Sequence, residues 1–417
     1  MDFIRSILGL AGFIFVAWCF SKNRKAINWK TVGVGITLQF CLAKIVLTET
    51  VQRAVFDPVN DFVIALLGFS QAGATFVLKS FVSNSVDPAN INFAFWVLPT
   101  VIFFSSIMAL LYHFGIMQPI IKGISRVMQK LMGTSGSESM SCSANIFVGQ
   151  TEAPLMIKPF IDTMTKSELH AVMVGGFGTV AGGVLALYVG ILQESMPGIA
   201  GHLATASVMA APGALVISKI MYPETEESNT MGEIQLDVES LDSNFIEAAA
   251  RGATEGMQLL INIVAMLIAF VALVTMLDQS VLSIAQYFSP GSTFSFTSFL
   301  GYLFTPFAFL MGVPSHELLL VGQLLGKKVV LTELLAYAEL STMIKAGTIS
   351  AKSQLLCSYA LCGFANFASI GIQIGGLGAM APSRKGELAT MGLSAMFGGM
   401  LVTCCTATIA GAFIHIP

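Results

Sequence analysis

Long apolar runs separated by short polar stretches set the rhythm of the chain. They fall near residues 3–20, 31–50, 94–117, 168–193, 200–221, 257–277, 351–374 and 387–416, with a further apolar segment near 294–312. A helix needs about 20 apolar residues to cross about 30 Å of hydrocarbon. Lipid satisfies no backbone polar group, so spans of this kind are helical. The pattern predicts an all-α integral membrane protein with about eight transmembrane helices. The stretches 56–84, 119–132, 138–165 and 313–345 are apolar but interrupted by polar residues. Of these, 138–165 and 313–345 read as re-entrant hairpins. In 119–132, Lys122, Arg126 and Lys130 recur at i, i+4 and i+8 beside Ile120, Ile121, Ile124, Val127 and Leu131. That is an interfacial helix with its basic side at the headgroups, and 56–84 reads as another surface helix.

The hairpins organise the chain. In 138–193, Gly149-Gln150-Thr151-Glu152-Ala153-Pro154 is followed by a helix bearing Gly175-Gly176-Phe177-Gly178-Thr179-Val180-Ala181-Gly182-Gly183. In 313–376, Thr332-Glu333-Leu334-Leu335-Ala336-Tyr337 precedes Phe364-Ala365-Asn366-Phe367-Ala368-Ser369-Ile370-Gly371. Each half offers an acid inside a short hairpin, then a helix broken at mid-length. Matching interruptions in two halves point to a transporter binding site. The predicted division is 1–90 and 91–135 as scaffold, 136–221 as one transport half, 222–312 as an acidic loop and long scaffold helix, and 313–417 as the second transport half.

Composition agrees: 55% of the 417 residues are apolar and 11% charged, with a mean hydropathy of +0.78. A water-facing domain carries about 25% charged residues. A net charge of −3 gives no basic footprint for nucleic acid. Cys19, Cys41, Cys142, Cys357, Cys362, Cys404 and Cys405 fall in apolar stretches and read as packing residues. Arg5 and the apolar run after it lack a cleavage site, which predicts a retained first helix.

Charge placement orients the chain. Lys22, Arg24, Lys25 and Lys30, then Lys122, Arg126 and Lys130, then Lys158 and Lys166, then Arg384 and Lys385 share one side, while 194–200 and 278–293 hold no Lys or Arg. The positive-inside rule puts the basic side in the cytoplasm and the N-terminus outside. Lys327, Lys328, Lys345 and Lys352 fall on the opposite side. One hairpin then enters from each side, making the two halves inverted repeats. Between 222 and 243 the chain is acidic, and Asn244 with Glu247 reads as a capping box. Glu247, Arg251 and Glu255 are expected to pair at i+4 spacing.

Glu152 and Glu333 are the candidate functional acids, because an ionisable group at the bilayer centre costs at least about 2.5–3.5 kcal/mol and marks a ligand, ion or proton. Gln150, Thr151, Asn366 and Ser369 add amide and hydroxyl groups. Without a cluster of Arg, such a set suits a neutral, polyhydroxylated substrate rather than a phosphorylated one. Phe364 can lie against a planar ring. Asn145, Val148, Thr179 and Val180 fall where two breaks meet and can give an alkali cation its oxygen ligands.

These motifs, with Gly326-Lys327-Lys328 leading into Thr332-Glu333, resemble the concentrative nucleoside transporter family from about residue 94 to the C-terminus. The resemblance implies eight transmembrane helices, two re-entrant hairpins and interfacial helices, assembled as a homotrimer in the inner membrane. It implies that Gln150, Thr151 and Glu152, with Val184 and Phe364, contact a nucleobase. Glu333, Asn366 and Ser369 then bind ribose hydroxyls. Sodium is held by Asn145 and Thr179 with the carbonyls of Val148 and Val180. The family usually has Asn where this chain has Thr332, which puts support of Glu333 in question. The expected function is sodium-coupled nucleoside import by alternating access, with no cofactor beyond the coupling ion; proton-coupled nucleoside symport is the alternative. No H-E-x-x-H, G-x-S-x-G or Walker pattern supports an enzyme. Interrupted hairpins meeting at mid-depth argue against an open channel.

Overall fold

The computed structural model describes residues 2–51, 53–54, 57–61, 63–64, 99–232 and 242–413. Most of the expected surface helix at 56–84, the start of the 94–117 span, and Glu233, Asp237 and Glu239 of the acidic loop lie outside them. Every regular element among the described residues is a helix, with no strand among them.

We label the helices α1 (Asp2–Cys19), α2 (Trp29–Val46), α3 (Thr100–His113), α4 (Met117–Met132), α5 (Gly136–Ala144), α6 (Lys166–Gly178), α7 (Gly182–Leu192), α8 (Ile199–Met221), α9 (Phe245–Phe288), α10 (Phe296–Leu310), α11 (Leu318–Val330), α12 (Glu333–Lys345), α13 (Ala351–Ala360), α14 (Phe367–Met380) and α15 (Lys385–Phe413). Among the described residues, Trp29–Val46, Lys166–Leu192, Ile199–Met221 and Pro382–Phe413 are long and apolar enough to cross a membrane. Helices α3 and α4 bend by 79° against each other. The bend lays the basic, amphipathic α4 across the end of a span, as its pattern predicts. Gly133, at φ +68, ends α4 in the left-handed region that glycine enters freely.

Backbone and side-chain contacts identify the two ends of the molecule. At one end Lys22 N donates to Met221 O (3.0 Å) and Thr31 Oγ1 to Met132 O (3.0 Å). Arg384 Nη1 donates to the carbonyls of Asp162 (2.9 Å) and Met164 (2.8 Å), and Lys166 approaches Glu387 (3.9 Å). The basic segments therefore gather together, with the base of the first hairpin among them. At the other end Arg5 Nη2 donates to Val313 O (2.9 Å), and Lys345 pairs with Glu194 (3.2 Å). There Glu317, at the base of the second hairpin, accepts from Ser350 N (2.7 Å). The hairpins enter from opposite ends, so the repeats are inverted.

Caps fix both hairpin bases. Ser135 and Glu138 form a capping box opening α5, and Thr165 and Glu168 another opening α6. Buried Lys219 joins Glu138 (2.7 Å) and Ser167 Oγ (2.8 Å). In the second half Ser353 stands at the matching third position of α13, and Glu317 reaches across from the hairpin to take the Ser350 N–H instead. The return arm of the first hairpin is a 3₁₀ helix, Ala153–Thr163. Pro154 and Pro159 explain it, since each lacks the N–H that an α-helix needs.

Both long helices of the repeats break as the glycines suggest. Between α6 and α7, Thr179 and Ala181 are extended. Between α13 and α14, Gly363 takes φ +149. The two breaks cross: Phe364 N donates to Thr179 O (3.3 Å), and a Cβ on Gly363 would meet Phe177 O at 2.9 Å. Only glycine fits both that backbone angle and that approach.

Three local expectations are corrected. Arg251 pairs with Asp242 (2.8 Å) and Glu255 (2.8 Å), while Glu247 accepts from Ser243 N (2.7 Å). Asn244 caps α9 as expected, but the return bond comes from Ser243 rather than Asn244. The Arg251 guanidinium beside Asp242 holds its carboxyl below the usual carboxylate range. Of the cysteines, five are buried as packing residues, whereas Cys19 and Cys41 are exposed.

Candidate functional site

The site is built around α14 and the two hairpin tips. Asn366 caps α14, its Oδ1 accepting from Ser369 N (2.8 Å). That bond fixes the amide, so Nδ2 points away and donates to Glu333 Oε2 (2.8 Å). Glu333 Oε1 accepts from Tyr188 Oη (2.7 Å). Glu333 opens α12, where the positive helix end favours a carboxylate. It is only 5% exposed. Tyr188 is itself held by its stack on Tyr337, with ring centroids 4.6 Å apart. Glu333, Asn366 and Ser369 are therefore brought together, as the sequence led us to expect.

Asn366, Ser369, Gln373 and Gly376 recur at i, i+3, i+7 and i+10, one stripe along an otherwise apolar helix. The buried Gln373 donates from Nε2 to Gln150 Oε1 (3.0 Å) and to Met173 O (3.1 Å). A Cβ on Gly376 would meet the Thr151 methyl at 2.7 Å, and one on Gly176 would meet Gln150 Cβ at 2.9 Å. Small residues thus let the first hairpin tip lie against both α14 and α6. From Asn366 to Gln373 the stripe rises about 10 Å. One helix carries the Glu333 cluster at one end and the Gln150–Thr151 tip further along.

Glu152 stands on the first tip, exposed as a residue, and its Oε1 accepts a hydrogen bond from Thr151 Oγ1 (3.0 Å). Val184 is buried on α7, and Phe364 is half-buried at the crossing of the breaks.

Asn145 ends α5 fully buried, and neither Oδ1 nor Nδ2 has a hydrogen-bond partner. A buried amide without partners costs about 1–3 kcal/mol, so an oxygen ligand is left free for a cation. A Cβ on Gly175 would lie 3.4 Å from Asn145 Nδ2, setting the amide against the last turn of α6. There Thr179 Oγ1 donates to Gly175 O (2.8 Å), leaving its lone pairs available. Val180 is buried beside it, and Val148 N donates to Ala144 O (3.0 Å). The residues present fit an alkali cation with hard oxygen ligands. Among the described residues no group of three His, Cys, Asp or Glu is placed to hold a metal.

Sequence reasoning missed Tyr188 and Gln373. Gln373 carried a signal, the polar stripe of α14. Tyr188 carried only a lone hydroxyl in an apolar helix. Thr332, whose replacement of Asn raised a question, has its Oγ1 buried without a partner; Glu333 is supported from Tyr188 and Asn366 instead.

Comparison with known proteins extends the resemblance over the whole chain. The family described as Na+ dependent nucleoside transporter C-terminus matches residues 202–411, its N-terminus counterpart 8–81, and Nucleoside recognition 94–195. An uncharacterized transporter of Haemophilus influenzae is 40% identical, with 100% of this chain and 99% of that protein covered. Solute carrier family 28 member 3 of Homo sapiens is 39% identical over 98% of this chain and 60% of its own length. The structure of CNTnw in an inward-facing substrate-bound state matches with a TM-score of 0.90 at 40% identity, over 99% of this chain and 98% of that one. A doubly substituted CNTnw in an outward-facing state matches at 0.91 and 39% identity, with the same coverage.

Proposed function

The chain belongs to the Na+ dependent nucleoside transporter family, and from that premise we propose that it couples sodium to nucleoside import across the inner membrane by alternating access. The observation that carries this reading is the fixed Tyr188–Glu333–Asn366–Ser369 set, a buried carboxylate in a ring of hydroxyl and amide groups. A carboxylate accepts two hydroxyl protons at once, which suits the vicinal hydroxyls of ribose. Glu333, Asn366 and Ser369 take the ribose. Gln150, Thr151 and Glu152, with Val184 and Phe364, take the base. Gln373 holds Gln150 in position, and its own Oε1 is buried without a partner.

Sodium is a co-substrate here, held by Asn145 and Thr179 with the carbonyls of Val148 and Val180. Its ligands come from the first hairpin and the first break, next to the tip that meets the base. Coupling is reciprocal, so sodium raises nucleoside affinity and nucleoside raises sodium affinity by the same factor. The transporter assembles as a homotrimer, with 136–221 and 313–417 as its transport halves.

The test is uridine uptake into proteoliposomes with either sodium or protons as the only gradient. Uridine accumulation driven by an inward sodium gradient is expected, and equal uptake with no gradient would sink the coupling. A pH gradient that drives uptake without sodium would favour the proton-coupled alternative. Gln373→Leu should weaken uridine binding about tenfold, the worth of one positioning hydrogen bond at roughly 1–1.5 kcal/mol. Scintillation-proximity binding of the purified variant checks this, and an unchanged affinity would remove Gln373 from the site.

A further inference from the structure

Lys328 is the buried charge that the transport reading leaves unused. It lies in the last turn of α11 and is 0% exposed. Its Nζ donates to Ala360 O (2.7 Å) and Thr403 Oγ1 (2.9 Å). Thr403 Oγ1 donates its own hydrogen bond to Met400 O (3.0 Å), so it acts toward the lysine as an acceptor. Ala360 is the last residue of α13, at the second break. A helix end of that kind carries free carbonyls and partial negative charge. Both of these hydrogen bonds from Nζ go to neutral oxygens.

The two halves can be compared at this point. In the first, the hairpin helix α5 ends beside the last turn of α6, and the group between them is the unpartnered Asn145 amide. In the second, the hairpin helix α11 ends beside the last turn of α13, and the group between them is the Lys328 ammonium. Inverted repeats make these corresponding positions. One offers free oxygen to a cation; the other already holds a cation on oxygen. An ammonium this deeply buried is costly without such partners, and the same oxygens would suit a small inorganic cation.

We infer that Lys328 is a tethered cation, standing in the second half where exchangeable sodium stands in the first. It is a positioning residue for the second break, holding the carbonyl of Ala360 where α13 ends and the hydroxyl of Thr403 on α15. Coupling then runs through the first half alone, one sodium for each nucleoside. This rests on the sodium and ribose assignments proposed above.

The experiment compares wild type, Lys328→Met and Lys328→Ala in proteoliposomes, each checked for folding by thermal unfolding and gel filtration. Wild type should show a sodium Hill coefficient and a sodium-to-uridine coupling ratio of about one. Lys328→Ala should lose at least about tenfold in uridine uptake, as expected when one member of a buried charged set is truncated. Methylammonium should restore that uptake and methanol should not, a difference that a packing role would not produce. Lys328→Met with wild-type uptake and sodium dependence would overturn the inference. A wild-type coupling ratio of two would also overturn it, and this measurement decides the matter even if both variants fail to fold. Wild type that carries no nucleoside at all would overturn the underlying reading instead.

Discussion

Glu333→Ala is expected to lower uridine affinity at least about 30-fold, because truncating one partner of a buried, hydrogen-bonded charge costs about 2–5 kcal/mol. Both carboxylate oxygens accept hydrogen bonds, one from Tyr188 and one from Asn366. Alanine therefore leaves a phenol and an amide unpaired as well as removing the ribose acceptor. Part of the loss would come from that disorder, so the comparison needs Glu333→Gln, which keeps the shape and one carbonyl oxygen. Gln should bind more weakly than wild type and better than Ala. Calorimetry with uridine, alongside thermal unfolding, separates the two contributions. Wild-type affinity in Glu333→Ala would refute the ribose assignment.

Asn145→Leu is expected to separate stability from coupling. The Asn145 amide is fully buried and unpartnered, and replacing such a group by an apolar one of similar shape is close to neutral or stabilising. The melting temperature without sodium should hold or rise. Sodium activation of uptake should shift by at least about tenfold, the effect of losing roughly 1.4 kcal/mol of cation binding. Sodium-free uridine binding should stay as in wild type. A variant whose sodium dependence matches wild type would remove Asn145 from the cation site.

Much of this architecture was legible because a bilayer imposes strong rules on sequence. Spans, breaks and hairpins followed from apolar length, glycine and proline, and the basic segments around Lys22, Lys166 and Arg384 gathered at one end as the loops predicted, with Lys345 at the other. The two halves were readable from two acids in matching segments, and their inversion from the charge placement that sends one hairpin in from each side. The side-chain partners were less accessible. That Tyr188 would meet Glu333 from 145 residues away depends on how α7 crosses the second hairpin, and no local spacing encodes that crossing. Gln373 sat in plain view on the polar stripe of α14, but a stripe does not name its partner. The exposure of Glu152 depends on which side of the first tip faces protein, again a matter of tertiary packing. Arg251 chose Asp242 over Glu247 because a loop residue ahead of the helix offered both carboxylate oxygens.

The junction between Phe364 and Thr179 ties the midpoints of two oppositely directed helices with a backbone hydrogen bond, against a glycine that leaves no slack. Neither midpoint can travel without dragging the other. Both hairpin tips dock on α14, Glu333 through Asn366 and Thr151 against Gly376, so the tips are expected to ride with that junction as one block, and a bound solute to be released by shifting the block's surroundings rather than by pulling its walls apart.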